Sequence, residues 1–164
     1  MAEPIHVTMR VNGVEQTRQV EPRMHLVDFL RDTLEIKSAR VSCEHGACGA
    51  CTVRLDGRIV RGCLLLAVQA EGCEVETIDG ASDRGDLLEL QQAFHAHNAA
   101  QCGFCTPGML LTAAALLQEN PGATREQVRE YISGNYCRCT GYHAIVDAVC
   151  EVLESQRQAR AVNA

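Results

Sequence analysis

Nowhere does the sequence run for about 18 apolar residues, the length a helix needs to cross a bilayer, and it does not open on a charged stretch followed by an apolar leader. Both absences point to a soluble, cytoplasmic chain with no transmembrane segment. Basic residues are outnumbered as well: 15 Lys and Arg stand against 21 Asp and Glu, a formal net charge of −6. That leaves no basic stripe for nucleic acid and no polybasic patch for anionic lipid, so the expected partners are proteins. A cytosolic setting also bears on the ten cysteines. The compartment keeps thiols reduced, which argues against a disulfide framework.

Eight of those ten cysteines fall into two sets of four. Cys43, Cys48, Cys51 and Cys63 read C-x4-C-x2-C with a distant fourth member, the ligand spacing of a plant-type 2Fe-2S ferredoxin. Cys102, Cys105, Cys137 and Cys139 form the second set. Thiolates are the soft ligands that iron takes in such clusters, and one 2Fe-2S unit needs four of them. At 164 residues the chain has room for two small domains, one per set. Domains of this size bury modest cores, so folding is expected to depend on the clusters.

In the first half, Ile5, Val7, Met9 and Val11 alternate with polar residues. Asn12-Gly13 then turns the chain into a second alternating run through Val14 and Val20, a β-hairpin. From Met24, the spacing of Leu26, Phe29, Leu30 and Leu34 predicts an amphipathic helix laid on the sheet. Hairpin followed by helix suggests a β-grasp arrangement. Asp56-Gly57 makes a second hairpin of Thr52–Leu55 and Arg58–Val60 that returns the chain to Cys63, and Glu74–Ile78 supplies a closing strand. Gly46 and Gly49 permit positive φ within the cysteine loop, so that amide N–H groups can face cluster sulfur. His45 raises a Rieske-type alternative, but four Cys complete the site and no second Cys-x-x-His element accompanies it. It is expected to be a loop residue near solvent.

Asp79–Gly85 reads as a polar linker, which sets the domains at residues 1–80 and 81–164. Helical spacing dominates the second of these. Leu87, Leu90, Ala93 and Phe94 share a face, and Thr106 is expected to cap a helix with Pro107 at its first position, stopped by Asn120-Pro121. Thr124 with Gln127 forms a capping box, Gly134 marks a stop, and a last helix runs from about Tyr142 through Leu153. The fold class predicted is α+β: an N-terminal β-grasp, plant-type ferredoxin-like domain followed by a C-terminal four-helix bundle. Cys105-Thr-Pro-Gly and Cys139-Thr-Gly echo each other, which hints at pseudo-twofold symmetry with two helix N-termini aimed at an anionic cluster.

Other chemistries fit parts of the pattern. Cys102-Gly-Phe-Cys105 has the spacing of a redox dithiol, which leaves Cys137 and Cys139 unexplained. Four Cys also suit structural zinc, against the ferredoxin spacing upstream. Cys73 and Cys150 lie outside both sets and are expected to be small buried apolar residues. The tail from Ser155 is expected to fray.

Cys43-Glu-His-Gly-Ala-Cys-Gly-Ala-Cys-Thr-Val53, Gln101-Cys-Gly-Phe-Cys-Thr-Pro-Gly108 and Asn135-Tyr-Cys-Arg-Cys-Thr-Gly-Tyr142 resemble, in that order, the small iron-sulfur subunit of molybdenum hydroxylases, the xanthine dehydrogenase family. The resemblance implies one 2Fe-2S cluster per domain. It also implies a large partner subunit with molybdenum and a pterin, a medium subunit with FAD, and assembly as a dimer of heterotrimers. The chain would then relay single electrons from the molybdenum-pterin centre toward FAD, with no substrate site and no catalytic residue of its own. Cys102, Cys105, Cys137 and Cys139 would hold the cluster near the pterin, with Gln101 and Cys139 closest to it. Cys43, Cys48, Cys51 and Cys63 would hold the flavin-side cluster. The alternative is a stand-alone ferredoxin or redox-sensing module. Three departures from the family pattern touch the first loop: Ser42 before Cys43, Gly62 before Cys63, and Lys37-Ser-Ala-Arg40.

Overall fold

The computed structural model describes residues 3–162. Two hairpins form where the turn residues demand them. Strands β1 (Ile5–Val11) and β2 (Val14–Val20) pair antiparallel about Asn12-Gly13, as β3 (Thr52–Leu55) and β4 (Arg58–Arg61) do about Asp56-Gly57. All four turn residues take positive φ, which Asn, Asp and Gly tolerate. Strand β5 (Glu74–Glu76) threads between the hairpins, parallel to β1 and antiparallel to β3. The result is a mixed sheet ordered β2-β1-β5-β3-β4.

The predicted helix on this sheet is short and irregular. Helix α1 covers Leu26–Asp28 and widens into a π-helical turn over Phe29–Thr33. It seats Leu26, Val27, Phe29 and Leu30 in one core with Val7, Met9, Val11, Val53 and Val75. Cys51 and Cys63 belong to that core, at 2% and 4% exposure, so part of the first cysteine set is built into the packed interior.

The segment expected to be a linker is a helix. Helix α2 (Ile78–Asp83) follows β5 directly, with Ala81 fully buried and Gly80 pressed against the Asn12 side chain. Local turn propensity at Asp79, Gly80 and Ser82 is overridden by that burial. Helices α3 (Leu88–Ala96), α4 (Thr106–Glu119), α5 (Arg125–Ile132) and α6 (His143–Val162) complete the chain. Five helices therefore follow the sheet among the described residues, rather than the expected four.

Helix α4 is buried continuously from Gly108 to Leu117 and packs on α3, α5, the β3–β4 hairpin and α2. A helix apolar all round must be covered on every side, which explains its central place. Thr106 is its first residue and not its cap: Cys105 takes the cap position, and the Thr106 hydroxyl is buried with no hydrogen-bond partner among the described residues. The Thr124/Gln127 box opens α5 as expected, with Gln127 N donating to Thr124 Oγ1 at 3.3 Å and Gln127 Oε1 accepting from Thr124 N at 2.8 Å. The tail does not fray through the described residues. Helix α6 runs on to Val162, and the Arg157 guanidinium ties it to the carbonyls of Pro121 and Ala123. Residues 163 and 164 of that expectation lie outside the described residues.

Candidate metal centres

Cys43, Cys48 and Cys51 sit on the loop between α1 and β3, and Cys63 follows β4. The β3–β4 ladder pairs Thr52 with Arg61, and Gly62 N then donates to Cys51 O at 3.0 Å, so the fourth cysteine returns beside the third. Glu44, Gly46 and Gly49 take φ of 56°, 82° and 73°, coiling the loop so that Cys48 N donates to Cys43 Sγ at 3.3 Å. Backbone donation from His45 and Cys48 holds the Cys43 thiol down to about 6. Burial pushes Cys51 up to about 11, with Cys63 adjoining it. His45 is exposed, its Nδ1 2.5 Å from Cys43 O.

The two loop glycines have different neighbours. The atoms nearest a Cβ on Gly46 would all belong to the exposed Leu64 side chain. On Gly49 it would lie 2.6 Å from Gly134 O and 2.7 Å from the Asn135 side chain. Gly49 thus serves the seam between the halves as well as the loop. Gly62 is explained by its surroundings too, since a Cβ there would stand 3.1 Å from that of Val27 and 3.2 Å from Cys51 O.

Cys102 and Cys105 lie between α3 and α4, and Cys137 and Cys139 between α5 and α6. Their side chains meet in pairs, Cys102 with Cys139 and Cys105 with Cys137. Burial, then Cys137, pushes Cys105 up to about 12. Burial also acts to raise Cys137, but the Thr140 hydroxyl and the amides of Thr140 and Cys139 outweigh it and lower that thiol. Thr140 Oγ1 donates to Cys137 Sγ at 3.1 Å, and Cys137 N donates to Tyr142 Oη at 3.0 Å. The amide of Phe104 lowers Cys102, while its hydrogen bond with Cys102 raises Cys139. The expected symmetry is loose. Helix α4 starts directly after Cys105, whereas Gly141 and Tyr142 at positive φ intervene before α6.

All four sulfur residues of the second set, with Cys48 and Tyr136, line a cavity of about 520 Å³. Among the described residues no three His, Cys, Asp or Glu side chains close around a single ion. Four free thiols gathered around one cavity are the donor set that a 2Fe-2S cluster would take, and they would hold it there as thiolates. Gln101, Cys102 and Cys139 are exposed together at the outer side. Cys73 and Cys150 stand apart from both sets and are half-buried rather than buried. The Cys73 thiol donates to Glu71 O at 3.7 Å, and Cys150 packs on the helical core.

Sequence reasoning assigned no role to the residues that join the two sets. Asn135, 1% exposed, donates from Nδ2 to Gly49 O at 3.2 Å and to Thr52 Oγ1 at 3.4 Å. Its Oδ1 accepts from Thr112 Oγ1 at 3.1 Å and from Arg61 Nη2 at 3.3 Å. Arg61 also donates to Gly134 O at 2.8 Å and to Thr52 Oγ1. Next to this network, Tyr136 N donates to Cys48 O at 2.8 Å. Arg40, ahead of the first set, stacks 5.9 Å from the Phe104 ring centroid in the second.

Residues 9–76 match the 2Fe-2S iron-sulfur cluster binding domain, and residues 77–150 match the 2Fe-2S binding domain. The nicotine 6-hydroxylase small subunit of Paenarthrobacter nicotinovorans is 47% identical over 150 residues, covering 92% of this chain and 90% of that protein. Caffeine dehydrogenase subunit gamma of a Pseudomonas species is 47% identical over 149 residues, covering 89% of each. This chain belongs to the small iron-sulfur subunits of the molybdenum hydroxylases. It is the iron-sulfur subunit of an oxidoreductase, with a 2Fe-2S-binding domain in each half. Solved relatives share its fold. A chain of quinoline 2-oxidoreductase from Pseudomonas putida 86 superposes with a TM-score of 0.88 at 48% identity, covering 96% of this subunit and 98% of that chain. The aldehyde oxidoreductase of Desulfovibrio gigas does so at 0.85 and 40%, over 94% of this subunit and 17% of its own longer chain.

Proposed function

We propose that this subunit carries single electrons between a molybdenum-pterin centre on a large partner and FAD on a medium one. Cys43, Cys48, Cys51 and Cys63 hold one 2Fe-2S cluster in a β-grasp domain. Cys102, Cys105, Cys137 and Cys139 hold the other in the helical domain, with the division near Thr77. Bound clusters supply one-electron redox chemistry. The chain's own part is to ligate them, to aim amides at Cys43 and Cys102, and to hold the two loops in fixed contact.

The observation that carries this reading is the hydrogen bond from Tyr136 N to Cys48 O. Cys48 belongs to the first set and Tyr136 adjoins Cys137 of the second, so one 2.8 Å contact links the ligand loops. The exposed corner of Gln101, Cys102 and Cys139 is the side we assign to the pterin. Phe104 and Tyr136, at 43% and 58% exposure, give it an apolar rim suited to a protein partner. We place the assembly, a dimer of heterotrimers, in the cytoplasm, where reduced thiols remain available as ligands.

Low-temperature EPR on the dithionite-reduced complex, matched to its iron content, tests the proposal. Two distinct signals with about four irons per chain are expected. One signal, or zinc in place of iron, overturns it.

A further inference from the structure

Only a few polar atoms cross the seam between the two ligand loops, and most of them meet at one side chain. Asn135 is buried in the stretch between α5 and Cys137, and both ends of its amide are engaged. Its donor end fixes Gly49, which stands between Cys48 and Cys51. Its acceptor end is held by Thr112 of α4 and Arg61 of β4. Arg61 closes the ring from the other side by reaching Thr52 Oγ1 and Gly134 O together. Thr52 Oγ1 donates back to Gly49 O at 2.6 Å. The backbones have no slack there, because a Cβ on Gly49 would collide with Gly134 O and Asn135, and one on Gly108 with Gly49 O.

We infer that Asn135 and Arg61 are positioning residues that set the spacing and contact of the two cluster loops, and thereby the electronic coupling between the clusters. They touch no ligand sulfur, so their role is separable from holding iron. Their side-chain hydrogen bonds span the seam or brace a residue that does. The Tyr136 N to Cys48 O contact begins one residue beyond Asn135, so it depends on where Asn135 is held. An amide with two donors and a two-lone-pair oxygen, and a planar guanidinium fork, are the groups that can bind several seam atoms at once.

This inference rests on the relay reading, and the test separates the two. In the complex as purified, the wild type, Asn135→Ala, Arg61→Lys and Val128→Ala are compared. Val128, fully buried in α5, is a stability control away from the seam. Iron content and the signals of the partly reduced protein report whether each cluster is present. Spin–spin broadening in the fully reduced protein reports how the clusters face each other.

Asn135→Ala and Arg61→Lys are expected to keep both clusters and to lose or clearly weaken the broadening seen in wild type, while Val128→Ala lowers Tm and leaves it unchanged. If Asn135→Ala does not retain iron, Arg61→Lys decides alone. Unchanged broadening in Arg61→Lys, or an equal change in Val128→Ala, overturns the positioning role. Absence of two clusters in the wild type overturns the relay reading instead.

Discussion

Gly108, in the first turn of α4, lies so close to Gly49 of the first cysteine loop that a Cβ on Gly108 would overlap the Gly49 carbonyl oxygen. The contact is backbone against backbone, so neither side can swing away. Gly108→Ala is therefore expected to separate the helix from the loop and to destabilise the protein by about 1–3 kcal/mol, the range for overpacking a close-packed site. Gly46→Ala makes the contrast. The atoms nearest its Cβ belong to the movable Leu64 side chain, and the cost is the positive φ of 82°, about 1 kcal/mol. Denaturant unfolding of the two variants gives the comparison, and a Gly108→Ala midpoint equal to wild type would refute the close-contact argument.

Glu76 ends β5 and joins the sheet to the helical half. Its carboxylate accepts from Arg54 Nη1 at 2.7 Å with both side chains nearly buried, and the other oxygen pairs with Arg84 beyond α2. Glu76→Ala leaves Arg54 as an unpaired buried cation, and a loss of about 3–5 kcal/mol is expected. Replacing both Arg54 and Glu76 with apolar residues of similar volume is expected to cost less than the single change. Thermal and denaturant unfolding of the single and double variants checks the order, and a double variant less stable than Glu76→Ala would reverse this account.

The hairpins and the α5 capping box were legible because each rests on local chemistry. Asn12-Gly13 and Asp56-Gly57 specify their turns without help from the rest of the chain. Helix α2 was not legible. Asp79, Gly80 and Ser82 are turn formers in isolation, and only the pocket that takes Ala81 and the Asn12 side chain against Gly80 favour a helix there. The same limit hid the seam. Asn135 is 86 residues from Gly49 in sequence, and Arg61 is 74 from Asn135, so nothing short-range marks them as partners. The length of α6 depends in the same way on Arg157 reaching the Pro121–Ala123 turn.

Iron loading of the metal-free chain should respond to pH through the buried ligands. Burial pushes Cys51 up to about 11 and Cys105 up to about 12, whereas backbone donors hold Cys43 at about 6. A metal-bound thiolate must have lost its proton. At neutral pH Cys43 has already done so, while Cys51 and Cys105 still carry theirs and release them on loading. Loading is thus expected to become more favourable as pH rises from about 6.5 to 8.5, with net proton release. Anaerobic reconstitution followed by visible absorbance reads this, and a yield that falls over that window would count against it.

Cysteine substitutions should divide into two classes. Cys102→Ser removes one of four thiols from a set whose members meet in pairs, Cys102 with Cys139 and Cys105 with Cys137. Iron is expected to fall from about four to about two per chain, with one EPR signal gone and the signal from the Cys43, Cys48, Cys51 and Cys63 set retained. On the proposed relay, turnover of the complex with an acceptor at flavin should stop, because the cluster lost is the one assigned to the pterin side. Cys73→Ala belongs to the other class. Its half-buried thiol neighbours the Glu71 carbonyl and the Asp56 side chain, which belong to neither set, so both clusters should persist. Iron content and EPR of the two variants decide: a Cys102→Ser complex with four irons and full activity, or a Cys73→Ala chain that loses iron, would mean the ligand sets are drawn wrongly.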